Sequence, residues 1–159
     1  MTPDNDPKLL ITQGSIPHWQ FEDSFYFLTW RLHKDQVDLN EHERELVASV
    51  LRFFDDKRYV LFSYVIMNDH VHVLVKLFSK ESLPKIIHSW KSYVANRLQR
   101  QFKRKGRIWQ QEYFDTIIRN DEQFYSTVKY ILNNPWKRWG VEEYKWRWYK
   151  ENPFGEGQA

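Results

Sequence analysis

Two histidines lie two residues apart, at His70 and His72, in a strongly apolar stretch of the chain. The stretch consists of two β-branched and aromatic runs separated only by Asn68 and Asp69, which predicts two strands joined by a two-residue hairpin turn. Alternation along the second strand places both imidazoles on one face, about 7 Å apart, so that both can bind one metal ion. The alternative is that both side chains lie on a solvated sheet face and bind nothing.

A tyrosine lies on the polar face of a helix that is predicted further along the chain. The helix begins at Asn120 and ends before Pro135, because the residue that precedes a proline avoids helical backbone angles. At about 100° per residue, Tyr130 shares its face with amides and hydroxyls, including Asn134 one turn on, and not with the apolar stripe. A tyrosine in such surroundings has less reason to be structural. The alternative, which composition alone favours, is an amphipathic tyrosine at the edge of the core.

The elements that would position these side chains follow the order strand, helix, strand, strand, helix, strand. The first strand spans Ser24 to Leu32, and its two apolar faces predict a place in the middle of a sheet. One helix begins at a capping box on Asn40, and another begins after Ser82. This order is typical of an α+β, ferredoxin-like (split βαβ, RRM-like) fold, an antiparallel sheet with two helices on one face. The helix that carries Tyr130 is then added at the C-terminal end.

Positive charge is concentrated in one segment. Between Lys85 and Arg107 there are eight Lys and Arg and no Asp or Glu, which leaves −5 for the rest of a chain whose net charge is +3. A basic helix on an otherwise acidic chain favours the phosphate backbone of a nucleic acid as partner. The alternative is a solvated helix face, although such faces normally mix both signs. The predicted DNA contacts are Lys91, Arg97, Arg100, Lys103, Arg104, Lys105 and Arg107, with Lys137 and Arg138 further along the chain.

The composition excludes several classes of protein. A length of 159 residues suits a single domain, and a mean hydropathy of −0.74 excludes a membrane protein. The absence of cysteine excludes disulfides, thiolate catalysis and cysteine-ligated zinc. The first residues lack the basic and apolar regions of a signal peptide, so we expect a cytoplasmic protein.

Three regions are predicted along the chain: a loose leader over 1–22, a domain over 23–140 and a basic aromatic tail over 141–159. The segment WKRWGVEEYKWRWYKENPF, residues 136–154, interleaves tryptophans with Lys and Arg. This pattern suits stacking on unpaired bases. The alternative, which is compatible with the first, is that the segment folds back on the sheet and buries some of these rings.

Two stretches resemble a known family. VIMNDHVHVLVK is similar to the HUH motif (His, hydrophobic, His) of the single-tyrosine transposases, and IWQQEYFDTIIRNDEQFYSTVKYILNNP resembles the segment that follows it in the REP-associated tyrosine transposases. The resemblance covers roughly residues 25–140. A helix tyrosine about 60 residues after the first histidine, with a carboxamide four positions later, also matches in order and spacing. Many relatives have Pro-Asn before the first histidine, where this chain has Asn68-Asp69.

The resemblance implies an enzyme that cleaves and rejoins single-stranded DNA. Tyr130 would attack a phosphodiester, giving a 5′-phosphotyrosine link and a free 3′-OH. A divalent ion, Mg²⁺ or Mn²⁺ with Zn²⁺ or Ni²⁺ as surrogates, would polarise the phosphate, held by His70, His72 and Asn134. The partner would be single-stranded or hairpin DNA. Relatives include monomers and also homodimers that place the tyrosine of one subunit against the histidines of the other.

Two other functions remain open at this point. A protein that binds hairpin DNA but no longer cuts it would keep the fold and the basic helix, although the intact histidines, tyrosine and carboxamide argue against it. An RNA-binding module of the RRM type shares the sheet topology. It would carry stacking aromatics on the central strands, where this chain has His70 and His72.

Overall fold

Five strands and four helices form the part of the chain that the computed structural model describes, which is Ile16 and residues 21–154. In chain order the elements are β1 (Phe25–Leu32), α1 (Glu41–Phe53), β2 (Tyr59–Ile66), β3 (His70–Leu77), α2 (Leu83–Gln101), β4 (Trp109–Ile117), α3 (Asp121–Leu132), α4 (Asn134–Trp139) and β5 (Arg147–Tyr149).

The strands form one antiparallel sheet in the order β4-β1-β3-β2-β5. The first four strands have the predicted ferredoxin-like arrangement, and β1 lies inside the sheet between β3 and β4, as its two apolar faces indicated. The hairpin between β2 and β3 is also confirmed. Its two-residue turn is closed by the Met67 N–H, which donates to the carbonyl of His70 at 2.8 Å.

Side chains cap α1 and α3 close to where the sequence predicts it, whereas Ser82 stands at the predicted N-cap of α2 but its side chain makes no capping hydrogen bond. At the start of α1, the Asn40 side chain accepts from the Glu43 N–H at 2.9 Å, and the Glu43 carboxylate accepts from the Asn40 N–H at 3.0 Å. This reciprocal pair is the predicted capping box. At the start of α3, Asn120 accepts from the Gln123 N–H, but Gln123 Oε1 accepts from the Arg119 N–H. In a capping box the Gln123 side chain would accept from the N–H of Asn120, the N-cap residue; here it accepts from the residue before Asn120.

Both faces of the central strands are covered. Helices α1 and α2 pack on one face, against a core that includes Val71, Val73 and Val75 of β3. Helix α3 packs on the other face, in a second cluster that includes Leu74. The face that carries the histidines is therefore not a solvated surface, and the side chain of His72 lies beneath α3 with 4% of its surface exposed.

A short helix follows α3 that the sequence does not predict. Helix α3 ends at Leu132, before the proline, as expected, but the reason given is wrong, because Asn134, the residue that precedes Pro135, is itself helical. Asn133 then begins α4 with Pro135 in its first turn, where a missing N–H costs nothing. The helix ends at Gly140, whose φ of 68° lies in the left-handed region that favours glycine.

The C-terminal segment folds back on the sheet, which was one of the two alternatives. Strand β5 pairs with β2, and the ring of Trp148 stacks on Tyr64 with centroids 5.8 Å apart. Trp146 is 8% exposed, whereas Trp139 keeps 40% of its surface exposed. The predicted leader falls mostly outside the described residues. Within the described part of the chain, no helix combines the length and apolar character needed to cross a membrane.

Candidate active site between β3 and α3

His72 is fixed by the strand beside it. Antiparallel pairing places Thr29 of β1 directly opposite His72, and the two side chains meet with Thr29 Oγ1 2.7 Å from His72 Nδ1. Burial, together with the nearby charges of His70 and Arg31, lowers the pKa of His72 to about 3. The imidazole is therefore neutral at physiological pH, which is the form that binds a metal.

His70 is held in the same manner by a different oxygen. Its ring lies 4.8 Å from that of His72, centroid to centroid, at 78° between the ring planes. The Nδ1 atom of His70 is 2.7 Å from a carboxylate oxygen of Asp69. In both histidines Nδ1 thus lies within hydrogen-bond distance of a side-chain oxygen, which leaves Nε2 to coordinate a metal ion. Metal-binding histidines usually have their second nitrogen bonded in this way, so the pair fits a metal.

Tyr130 lies beside this pair. Helix α3 buries Val128 and Ile131, and this turns the Tyr130 side chain to the polar face, where it is 43% exposed. The ring contacts His72 edge-on at 5.4 Å between centroids and Phe27 at 5.8 Å. The predicted position off the apolar stripe is confirmed, and the contact with Phe27, which packs against the core, also fits the alternative of a tyrosine at the edge of the core. The phenol is thus held next to the histidines and remains accessible from solvent.

Asn134 lies one turn beyond the tyrosine. Its amide Nδ2 donates to the backbone carbonyl of Tyr130 at 3.0 Å, which fixes the side chain without using its oxygen, the atom that would bind a metal. Among the described residues, no group of three or more His, Cys, Asp and Glu is placed to hold an ion. The role of Asn134 as a third ligand stays a prediction.

Arg31 belongs to the same neighbourhood and was missed from the sequence. It lies on β1 directly opposite His70 and on the same face as Thr29. Its charge contributes to the lowered pKa of His72, and its side chain is exposed. Alternation within β1 gives its face, but only the pairing of β1 with β3 places it beside the histidines.

The basic helix lies on the other side of the sheet. Helix α2 packs in the cluster of Val71 and Val73, whereas His72 and Tyr130 lie on the opposite face. Two of the predicted DNA contacts in this basic region, Lys91 and Arg104, are bound to other elements of the protein, and Lys103 Nζ donates to the carbonyl of Arg100 at 3.2 Å. Lys91 Nζ donates to the carbonyl of Gln110 on β4 at 2.8 Å, and burial lowers the pKa of this lysine.

The second is Arg104, for which the prediction of a phosphate contact is corrected. Its guanidinium donates through every N–H it has, twice to the Glu43 carboxylate and three times to oxygens of residues 36–38. The side chains of Arg104 and Glu43 are 7% and 3% exposed. Burial acts to raise the pKa of Glu43, but the bonds from Arg104 and Asn40 hold it below its usual value. Arg104 therefore fastens a loop to the body of the protein.

The loop that Arg104 fastens, residues 102–108, carries other cations near the turn of the β2–β3 hairpin. Segment 33–39 links this loop to the turn: His33 N–H donates to the carbonyl of Ile108, and Leu39 N–H donates to the carbonyl of Asn68, both at 2.8 Å. Arg97 is half-buried, with its guanidinium 5.5 Å from the centre of the Tyr93 ring. The remaining predicted DNA contacts have exposed side chains; these are Arg100, Lys103, Lys105, Arg107, Lys137 and Arg138.

Comparison with known proteins identifies the family to which this chain belongs. Residues 22–134 match the family model described as transposase IS200 like, and the chain belongs to that family. No sequence among the curated proteins matches.

Two solved structures share the fold. The first is described as the structure of the REP-associated tyrosine transposase bound to a REP hairpin, with a TM-score of 0.63 and 17% identity over 87% of this chain and 81% of that one. The second is a putative transposase from Deinococcus radiodurans, with a TM-score of 0.51 and 20% identity over 69% of this chain and 88% of that one.

Proposed function

We propose that the protein cleaves and rejoins single-stranded DNA beside a hairpin, with Tyr130 as the nucleophile. The observation that carries this proposal is the contact between the Tyr130 ring and the His72 imidazole, 5.4 Å between centroids, with the tyrosine 43% exposed. A phosphodiester that reaches the histidines would then lie within reach of the phenol. Membership of a transposase family supports the same reaction class.

The chemistry is a transesterification. The phenol oxygen of Tyr130 attacks the phosphorus, the bond from phosphorus to the 3′ oxygen breaks, and the products are a 5′-phosphotyrosine and a 3′-OH. The phenol gives up its proton, and the leaving 3′ oxygen gains one. The contacts of the ring with Phe27 and His72 restrict its orientation before the DNA binds, so less conformational entropy is lost on reaching the attacking geometry.

His70 and His72 would hold a divalent ion through their Nε2 atoms, with Asn134 Oδ1 as third ligand. Two imidazoles and an amide oxygen form an intermediate set that suits Mn²⁺ or Mg²⁺ and can also take Zn²⁺ or Ni²⁺. When bound, such an ion supplies positive charge that polarises the scissile phosphate. Asp69 and Thr29 keep both rings in the orientation that presents Nε2.

Exposed cations would position the DNA. Lys103, Lys105 and Arg107 lie on the loop near the hairpin turn, and such side chains bind phosphates without reading the bases. On α4, the exposed ring of Trp139 is a candidate for stacking on an unpaired base. The structural relative with a TM-score of 0.63 is bound to a REP hairpin, which supports a hairpin-forming repeat as the substrate here.

The test is incubation with a labelled hairpin that carries single-stranded flanks, in Mn²⁺, followed by a denaturing gel. We expect a covalent protein–DNA band that disappears in EDTA. Tight binding of the hairpin in a native gel without any adduct would instead favour a hairpin-binding protein that has lost the chemistry.

A further inference from the structure

The face of the sheet that carries the histidines is open along its edge strand. Helix α3 covers this face over the inner strands, in the cluster that contains Val65 and Leu74. On β4, by contrast, Phe114 leaves 65% of its surface exposed, the largest exposed fraction of any aromatic side chain among the described residues. An apolar ring held in water beside a candidate active site calls for an explanation.

Strand pairing places this ring close to the histidines. Phe114 lies directly opposite Thr29, and Thr29 lies directly opposite His72, so the three side chains form one row on one face. Since neighbouring strands are about 4.8 Å apart, the backbones of Phe114 and His72 are about 10 Å apart. Arg31 lies two residues beyond Thr29 on the same face, opposite His70. Phe114 and Arg31 thus flank the site on its open side.

The chemistry of the two side chains is complementary to a nucleotide. A phenyl ring can stack on any unpaired base, and a guanidinium binds phosphate oxygens. We propose that Phe114 and Arg31 form a subsite for one unpaired nucleotide next to the scissile phosphate, with the base on the ring and a phosphate on the guanidinium. This inference rests on the proposed function and assigns residues on β1 and β4 to it.

The rival occupant of this edge is a second copy of the chain paired along β4. Lys91 Nζ already donates to carbonyls of Gln110 and Gln111 at the start of the strand, which blocks part of the ladder. A nucleotide fits the edge better than a second copy does.

The test compares binding of two DNAs in EDTA, so that cleavage plays no part: a hairpin with a single-stranded flank and the same hairpin without it. We expect Phe114→Ala to weaken binding of the flanked hairpin by about 5- to 150-fold and to leave the other unchanged. Phe114→Trp should bind normally, and Phe114→Leu should not. Phe53→Ala is the matched control, since Phe53 is 60% exposed on α1 across the sheet. Arg31→Gln should reduce the salt slope for the flanked hairpin by about 0.7.

Three results would overturn the proposal. One is equal binding of the flanked hairpin by Phe114→Ala and the wild type, and another is an equal loss on both DNAs. The third is that Phe114→Ala changes the mass of the protein in sedimentation but binds the flanked hairpin no differently from the unflanked one, which would assign the edge to a second copy. Adduct formation by Tyr130 is scored separately, so failure of the nucleotide subsite is distinguishable from failure of the proposed reaction.

Discussion

Replacing Arg104 should destabilise the fold without removing a phosphate contact. In Arg104→Met the carboxylate of Glu43, only 3% exposed, loses its buried counter-charge. Breaking such a pair from one side costs about 3 to 5 kcal/mol, because the remaining charge stays buried without compensation. For a protein of this size that corresponds to a Tm lower by about 6 to 20 °C. The loss is a large part of the 5 to 15 kcal/mol (roughly) that stabilises a typical domain.

The assay combines urea unfolding followed by circular dichroism with hairpin binding over a series of salt concentrations. Binding is measured at a low temperature at which the variant is folded. Lys105→Met is the matched control: its side chain is exposed one position further along the same loop. It should change stability by at most about 0.5 kcal/mol and reduce the salt slope by about 0.7 to 0.9. Arg104→Met should instead lower the free energy of unfolding by about 3 to 5 kcal/mol and leave the salt slope unchanged.

A double-mutant cycle strengthens the test. With Glu43→Gln already present, the same change at Arg104 should cost much less than it does alone, because the charge that it leaves behind is gone. The reasoning is refuted if Arg104→Met unfolds at the wild-type urea concentration and loses salt dependence. That result would return Arg104 to the set of phosphate-binding residues.

Two further predictions concern the histidines. Asp69→Ala should weaken Mn²⁺ binding, measured by calorimetry without DNA, by about 10- to 100-fold, since the carboxylate orients His70; unchanged affinity would show that this bond does not serve the metal. His72→Ala should abolish cleavage that depends on a divalent ion while hairpin binding persists. Cleavage by that variant in EDTA at the wild-type rate would rule out a metal role for His72.

Much of the fold follows from local patterns in the sequence. The strict alternation of β3 and the two-residue turn at Asn68-Asp69 define the hairpin; β3 has the predicted ends, and β2 is one residue shorter than the predicted strand from Tyr59 to Met67. The capping box at Asn40 gives the start of α1 within one residue. The position of Tyr130 off the apolar stripe also follows from helical geometry, and the structure places its ring against His72.

What the sequence does not supply is the contacts between distant segments. Arg31 reaches the site only through the register between β1 and β3, which alternation along one strand cannot fix. In the sequence, Arg104 is one cation among several in a basic run. Only its contacts with residues 36–38 and Glu43 in the structure show that it forms a buried ion pair. Strand β5 has three residues, too few for a periodic pattern, and it forms because β2 offers a free edge.

The central claim is that Tyr130 attacks the DNA, and mass spectrometry of the trapped adduct tests it most directly. The wild-type protein is incubated with a flanked hairpin in Mn²⁺, digested, and searched for a peptide that carries a nucleotide. We expect the modification on Tyr130, and we expect Tyr130→Phe to bind the hairpin with wild-type affinity and form no adduct. Tyr125, which is buried on the opposite side of α3, serves as the comparison. A nucleotide on Tyr125, or on Tyr113 of β4, which packs on the opposite face of the sheet, would contradict the assignment, and so would an undiminished adduct from Tyr130→Phe.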